Sequence, residues 1–249
     1  MNEVLKSLGL TQLVDALPHL LEQARQHQPT YAAFLQDALE AEVAGRAQRA
    51  QDRRRRAAKI PHAKTLETFD FTFQPTVPER LIRELATLGF MTTATNVLLL
   101  GPPGVGKTHL ASALATQAME AGHSALFTTL SDLAEGLESG STLTVWRQRI
   151  RKYVAPHLLV IDEVGYTRLT PPQAHALFEL VTARYEKGPI ILTSNTSFAE
   201  WGGLLGNEVL AAALLDRLLH HAEVITINGS SYRMQARRSL KAPVTVSAS

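Results

Sequence analysis

The stretch NVLLLGPPGVGKTHLASALATQAME, residues 96–120, restricts the fold more than any other part of the chain. An apolar run, VLLL (97–100), leads into GPPGVGKT (101–108), which fits G-x-x-x-x-G-K-[ST], and a helical pattern follows at once. That order describes a buried strand, a glycine-rich turn and a helix whose first backbone N–H groups face the turn. The glycines let those N–H groups converge on phosphate oxygens, a lysine reaches the β- and γ-phosphates, and a threonine hydroxyl can ligate Mg²⁺. The residues implicated are Gly101, Pro102, Pro103, Gly104, Val105, Gly106, Lys107, Thr108 and His109. A chance glycine-rich turn would not place strand and helix on either side of the pattern.

Further short β-like runs alternate with amphipathic helices beyond it: SALFTTL (124–130), LLVID (158–162), IILTS (190–194) and AEVITI (222–227). Apolar runs of this kind predict a parallel sheet buried on both faces, hence an α/β fold. LLVIDEVG (158–165) delivers Asp162 and Glu163 to the carboxyl edge of a strand, where open α/β sheets bind ligands. Asp162 is a candidate Mg²⁺ ligand with Thr108, and Glu163 a candidate for orienting and polarising an attacking water. A metabolite kinase needs no water-activating carboxylate, so the pair favours hydrolysis. A capping pair for the next helix is a weaker reading, because that helix starts near Pro171-Pro172. Asn195, closing ILTSN, could fix the same water, although Ser-Asn after a strand is also ordinary turn chemistry. Arg217 in LLDRLLHH (214–221) has two readings of equal weight: an arginine satisfied on a half-buried helix, or an arginine finger directed at a neighbouring subunit's γ-phosphate. Arg233, in GSSYR, follows the last strand and could approach the nucleotide of its own chain.

The first 60 residues have a different texture. A helix starting near Thr11 carries Leu13, Val14, Leu17, Leu20 and Leu21 on one face. Thr30 caps a second helix that runs toward Lys59, and Pro61 stops it. Net charge is only +2, so any argument for nucleic acid rests on where the charge lies. Between Arg46 and Lys59 stand seven basic residues and one acid, Asp52. Four adjacent arginines, 53–56, spray around a helix, whereas Arg46, Arg49, Arg53 and Arg56 recur at helical spacing and form a stripe. That stripe continues the line of Leu35, Leu39 and Val43, so the helix is expected to pack its apolar first half on the preceding helix and project its basic half. Phosphate contact without base readout and a plain solvated face both fit such a run. Residues 61–80 hold three prolines around Phe69, Phe71 and Phe73 and read as an extended linker. The phenylalanines lie where an adenine pocket could form, and core packing explains them equally well. The expected division is a helical domain over 1–60, a linker over 61–80, the α/β domain over 81–238 and a fraying tail over 239–249. The chain has no cysteine, no apolar run long enough to span a bilayer and no secretory signal pattern, so a cytoplasmic protein without membrane contact is expected.

The order phosphate loop, apolar-Asp-Glu, Thr-Ser-Asn, Asp-Arg and Ser-Tyr-Arg resembles the AAA+ ATPases. FLQDALEAEVAGRAQRAQDRRRRAAKIPHAKTLETFDF (34–71) and LLVIDEVGYTRLTPPQAHALFELV (158–181) resemble, more narrowly, the IstB group, ATPase helpers of bacterial insertion-sequence transposases. The resemblance covers about residues 4–238. It implies an AAA+ P-loop core with a five-stranded parallel sheet, preceded by a small all-α region. It also implies an ATP- and Mg²⁺-dependent oligomer that binds duplex DNA, hydrolyses ATP and stimulates a cognate transposase. Arg217 is then expected to act as a finger between subunits, and Arg233 as a nucleotide sensor. A helix between the second and third strands is expected to touch DNA through Arg147, Arg149, Arg151 and Lys152, and a solvated amphipathic helix is the other reading of that segment. A replicative helicase loader of the DnaC type is the alternative function on the same ATPase.

Overall fold

A computed structural model describes residues 1–61, 64–137, 143–232 and 234. Arg233 and the expected tail over 239–249 lie outside the described residues. The chain divides into two compact units, Met1–Arg56 and Ala57–Ser249.

The first unit is helical: α1 (Asn2–Ser7), α2 (Thr11–His27) and most of α3 (Tyr31–Ala58). Thr30 Oγ1 accepts from Ala33 N and caps α3, as its position predicts. Pro18 sits inside α2 without ending it. Thr11 opens α2 but does not cap it; its hydroxyl is bonded to Arg49 instead. The face of α3 turned toward α2 differs from the one the apolar spacing selects. Leu35, Leu39 and Val43 are 58%, 48% and 67% exposed, while Phe34, Ala38 and Glu42 pack with Leu13 and Leu17. Small and polar groups explain the choice. A side chain at Gly45 would collide with Gln12, so α2 lies close there. Glu42, only 3% exposed, accepts from Leu13 N at 2.8 Å and from Arg46 Nε at 2.7 Å. These donors hold the Glu42 carboxyl below its ordinary value of 4.5, with the Arg46 hydrogen bond the largest cause. A depressed folded-state value means the contribution is full above about pH 4.5 and disappears as pH falls through the lowered value. Glu42→Gln should therefore remove part of the acid sensitivity of the first unit, read as a flatter loss of helical circular dichroism between pH 5 and pH 3, both values being roughly those that bracket a carboxylate.

The second unit opens with turns over residues 64–78 rather than an extended linker, and Leu66, Phe69, Gln74 and Val77 are buried there. Then follow α4 (Glu79–Leu85), α5 (Gly89–Thr92), β1 (Asn96–Leu100), α6 (Lys107–Glu120), β2 (Ala125–Thr129), α7 (Leu130–Leu137), α8 (Leu143–Val154), β3 (Leu158–Val164), α9 (Pro171–Arg184), β4 (Ile190–Ser194), α10 (Trp201–Leu205), α11 (Glu208–Leu219) and β5 (Ala222–Thr226). The five strands form one parallel sheet in the order β2-β3-β4-β1-β5. Alternate strand residues feed two cores. Val97, Leu99, Leu158 and Val160 face α6 and the 64–78 turns; Leu98, Leu159, Ile161 and Leu192 face α7, α9 and α11. Burial on both faces is why β1 to β4 read as near-continuous apolar runs; β5 departs from that expectation, an edge strand with Glu223 and Val224 exposed. α9 begins at the proline pair, behind a Thr170–Gln173 capping box.

Arg184, 2% exposed, ends α9 with its guanidinium donating to the carbonyls of Tyr153, Val154, Pro156, His157 and Pro189. Burial pushes its pKa down to about 10, still charged at neutral pH. It stitches the end of α8 to β3 and β4. Arg184→Met keeps the volume and strands those carbonyls, so an unfolding midpoint should show a loss of about 3 kcal/mol or more.

Candidate functional site

The site lies at the carboxyl edge of the sheet, beside β1, where the strand order reverses. Gly101 N donates to Ser194 O of β4 at 3.1 Å, which anchors the phosphate loop to the neighbouring strand. Gly104 and Gly106 have φ of 84° and 104°, a region closed to most side chains. A Cβ on Gly106 would lie 2.6 Å from the Phe69 ring, and one on Gly104 would strike Ser231. The loop is therefore held between the 64–78 turns and the segment after β5. Lys107 Nζ donates to Gly101 O at 2.6 Å and Pro102 O at 2.9 Å. Pro103 and Val105 complete the loop, with Val105 fully buried beneath it.

Thr108, in the first turn of α6, donates to both Asp162 oxygens at 3.0 Å. Asp162 is buried and also accepts from Thr193 Oγ1. The same Thr193 hydroxyl accepts from Glu163 N at 3.1 Å. Glu163 has φ of 63°, and the β3–β4 register shifts between Ile161 and Val164. That bulge makes consecutive carboxylates differ: Asp162 turns inward and Glu163 stands exposed at the cavity. Asn195 Oδ1 is buried without a hydrogen-bond partner and lies against Gly165, whose lack of a Cβ leaves room for it. A hydroxyl pair, a carboxylate pair and Asn195 thus line one cavity of about 350 Å³, together with the phosphate loop, Phe73 and Tyr232.

The His109 ring turns away from the loop toward the 64–78 turns, meeting Thr65 O at 2.9 Å and Phe69 edge-on. Its pKa is lowered by burial, so the imidazole is neutral at pH 7 and Nε2 donates to Thr65 O. Of the three phenylalanines, Phe69 packs in the core, and Phe73 meets Tyr232 edge-to-face at 5.3 Å on the cavity wall. Thr193, Gln74 and Tyr232 escaped the sequence reading. Thr193 stands two residues before Asn195 in the same ILTSN run; Gln74, bonded to Ser230 O at 2.8 Å, carries no local signal.

Arg217 is not at its own chain's phosphate loop. It donates to Ala213 O, stacks 4.6 Å from the Phe178 ring and lines a separate cleft with Asn96, Glu186 and His221 at the opposite edge of the sheet. Arg46 and Arg49 reach back to Glu42, Gly9 O and Thr11, whereas Arg53 and Arg56 are exposed. On α8, Trp146, Ile150 and Tyr153 pack on the core and Arg147, Arg149, Arg151 and Lys152 face solvent. Lys152 Nζ lies 4.9 Å over the Tyr153 ring.

The sheet order, the loop and the paired carboxylates define a P-loop ATPase core of the AAA+ class. Solved structures agree in fold: DnaA from Aquifex aeolicus bound to AMPPCP superposes with a TM-score of 0.56 at 20% identity, over 73% of this chain and 56% of that one. DnaI superposes with a TM-score of 0.56 at 20% identity, over 66% of this chain and 91% of that one. The chain belongs to the IstB-like ATP binding protein family, whose model matches residues 3–240. It is 43% identical over 237 residues to a Geobacillus stearothermophilus protein named for ATP binding in insertion sequence IS5376, covering 95% of this chain and 94% of the relative. It is 44% identical over 235 residues to the Pseudomonas aeruginosa protein so named in IS21, covering 94% and 89%.

Proposed function

We propose that this chain is a Mg²⁺-dependent ATPase that assembles on duplex DNA and activates a cognate transposase at the site it occupies. The observation that carries the hydrolytic reading is the hydrogen-bonded line Thr108–Asp162–Thr193–Glu163 beside the phosphate loop, with Asn195 lining the same cavity. The residues fit a nucleotide with its metal: the loop is cradled where a Cβ would collide, and the hydroxyl and carboxylate of Thr108 and Asp162 form an oxygen donor set suited to Mg²⁺. When bound, Mg²⁺ neutralises charge on the β- and γ-phosphate oxygens. Lys107 would exchange its loop carbonyls for phosphate oxygens. Glu163 and the Asn195 side-chain amide would hold a water between them. Attack of that water on the γ-phosphorus breaks the bond to the bridging oxygen, and its proton passes to Glu163. Arg217, far from its own loop, suits a site completed by a second copy of the chain.

The DNA reading is supported by kinship with insertion-sequence proteins and by the exposed basic residues. The loader alternative has only likeness of fold behind it. Arg53 and Arg56 are better probes than Arg46 and Arg49, which support Glu42. Arg53→Gln/Arg56→Gln should weaken binding alike on all duplex sequences and reduce the slope of log affinity against log salt by about 2. Arg147→Gln/Arg151→Gln tests α8 in the same titration, and unchanged slopes in both pairs would remove these residues from the interface. Electron microscopy of the chain on duplex DNA, with ATP or ADP and with or without the transposase, tests the whole proposal; ADP and ATP giving the same particles would refute nucleotide-driven assembly.

A further inference from the structure

At the sheet edge opposite the phosphate loop, the carboxyl ends of α9 and α11 come together. Glu186 follows Tyr185, the residue that caps α9; His220 caps α11, and His221 leads into β5. All three of Glu186, His220 and His221 are exposed, and one potential ligand atom from each lies within 4.8 Å of the other two. His221 Nε2 and Glu186 Oε1 are 3.7 Å apart, too far for a hydrogen bond and close to the spacing of neighbouring ligands on one ion. The Tyr185 hydroxyl lies 2.7 Å from His220 Nδ1. With Nδ1 protonated and donating to that oxygen, the lone pair of His220 sits on Nε2, the arrangement found where a ligating histidine is oriented by an outer partner.

Helix ends and ligand chemistry favour a transition-metal cation. The cluster stands at the carboxyl ends of two helices, α9 and α11, where the helix dipole favours positive charge. Arg184 is engaged with five backbone carbonyls; Arg217 shares the cleft with Glu186 and His221 and opposes a cation there, its guanidinium held on Ala213 O and the Phe178 ring. Two imidazoles and one carboxylate are a poor set for Mg²⁺, which prefers oxygen, and a good one for zinc-class ions with a water in the remaining position.

We propose that Glu186, His220 and His221 bind one divalent transition-metal ion of the zinc class, with Tyr185 orienting His220. Such an ion ties α9 to α11 beside Arg217, and it is independent of the ATPase reading. Zn²⁺ is titrated into the full-length, nucleotide-free chain against a chromophoric chelator, with Co²⁺ absorption as a report on nitrogen ligation. One equivalent should bind, in the parent chain and equally in Asp162→Asn, which removes the carboxylate of the phosphate site, and in His123→Ala/His157→Ala, which removes the other adjacent histidine pair. His220→Ala/His221→Ala should weaken binding about 100-fold or more, and Tyr185→Phe about tenfold, the size expected for an outer partner. Zn²⁺ should raise the melting temperature of the parent and leave that of the double variant unmoved, while the two melt alike without metal. No stoichiometric binding by the parent, or equal binding by the His220/His221 double variant, overturns the site.

Discussion

Glu163→Gln should cut ATP turnover by about 10²–10⁴-fold and leave ATP binding intact. The amide keeps the shape of the carboxylate and loses the proton acceptor. Glu163 is exposed, and its left-handed backbone is fixed by the bulge in β3 and by the bond from its own N–H to Thr193, neither of which involves the side-chain oxygens. Stability should therefore stay within about 0.5 kcal/mol of the parent. If assembly on DNA needs ATP and release needs hydrolysis, this variant should accumulate as an ATP-bound multimer on duplex DNA. Turnover, nucleotide retention and particle size separate the possible results. Unchanged turnover takes Glu163 out of the reaction. Lost turnover with lost ATP binding makes it a binding residue instead. Lost turnover without a longer-lived DNA assembly breaks the link between hydrolysis and release.

The parts of this molecule that were legible in sequence are those fixed by burial on both faces or by a motif that fits one geometry. The β-like runs at 97–100, 158–162 and 190–194 coincide with β1, β3 and β4 because a parallel sheet between two helical layers keeps the middle of each strand apolar on both faces. The phosphate loop was legible because glycine, lysine and threonine there answer to one backbone path. Glu163 was legible as a residue and not as a conformation: the bulge that separates it from Asp162 comes from β3–β4 register, a long-range pairing. Thr193 was hidden because a hydroxyl in an apolar run looks like an ordinary strand residue until Asp162 lies beside it. The inner face of α3 was misread for a related reason. Leu35, Leu39 and Val43 outweigh Phe34, Ala38 and Glu42 in apolar content, yet Glu42 is buried by its bonds to Arg46 and Leu13 N, and Gly45 admits α2. A pattern that scores only apolarity cannot see a charge whose partners arrive from another helix.

Arg217→Ala should lower turnover by about 10³–10⁵-fold if it completes the site of a neighbouring copy. The distance argument is structural. Arg217 lines the cleft at the amino edge of the sheet with Asn96, Glu186 and His221, while Lys107 and Glu163 stand at the carboxyl edge, so no side-chain rotation brings it to the nucleotide of its own chain. A loss of turnover could still come from disturbed packing, because Arg217 stacks on Phe178 of α9. Mixing resolves this. If the ATP sites are shared, Glu163→Gln and Arg217→Ala subunits should each be inactive alone for different reasons: one lacks the carboxylate, the other the guanidinium. Where an Arg217→Ala subunit supplies the phosphate loop and a Glu163→Gln neighbour supplies the arginine, the interface is whole. In an equal mixture of head-to-tail contacts, turnover should recover to roughly a quarter of the parent rate. A mixture as inactive as its components would mean that Arg217 acts within its own subunit, through the packing of α11 on α9, and that the ATP sites are not shared.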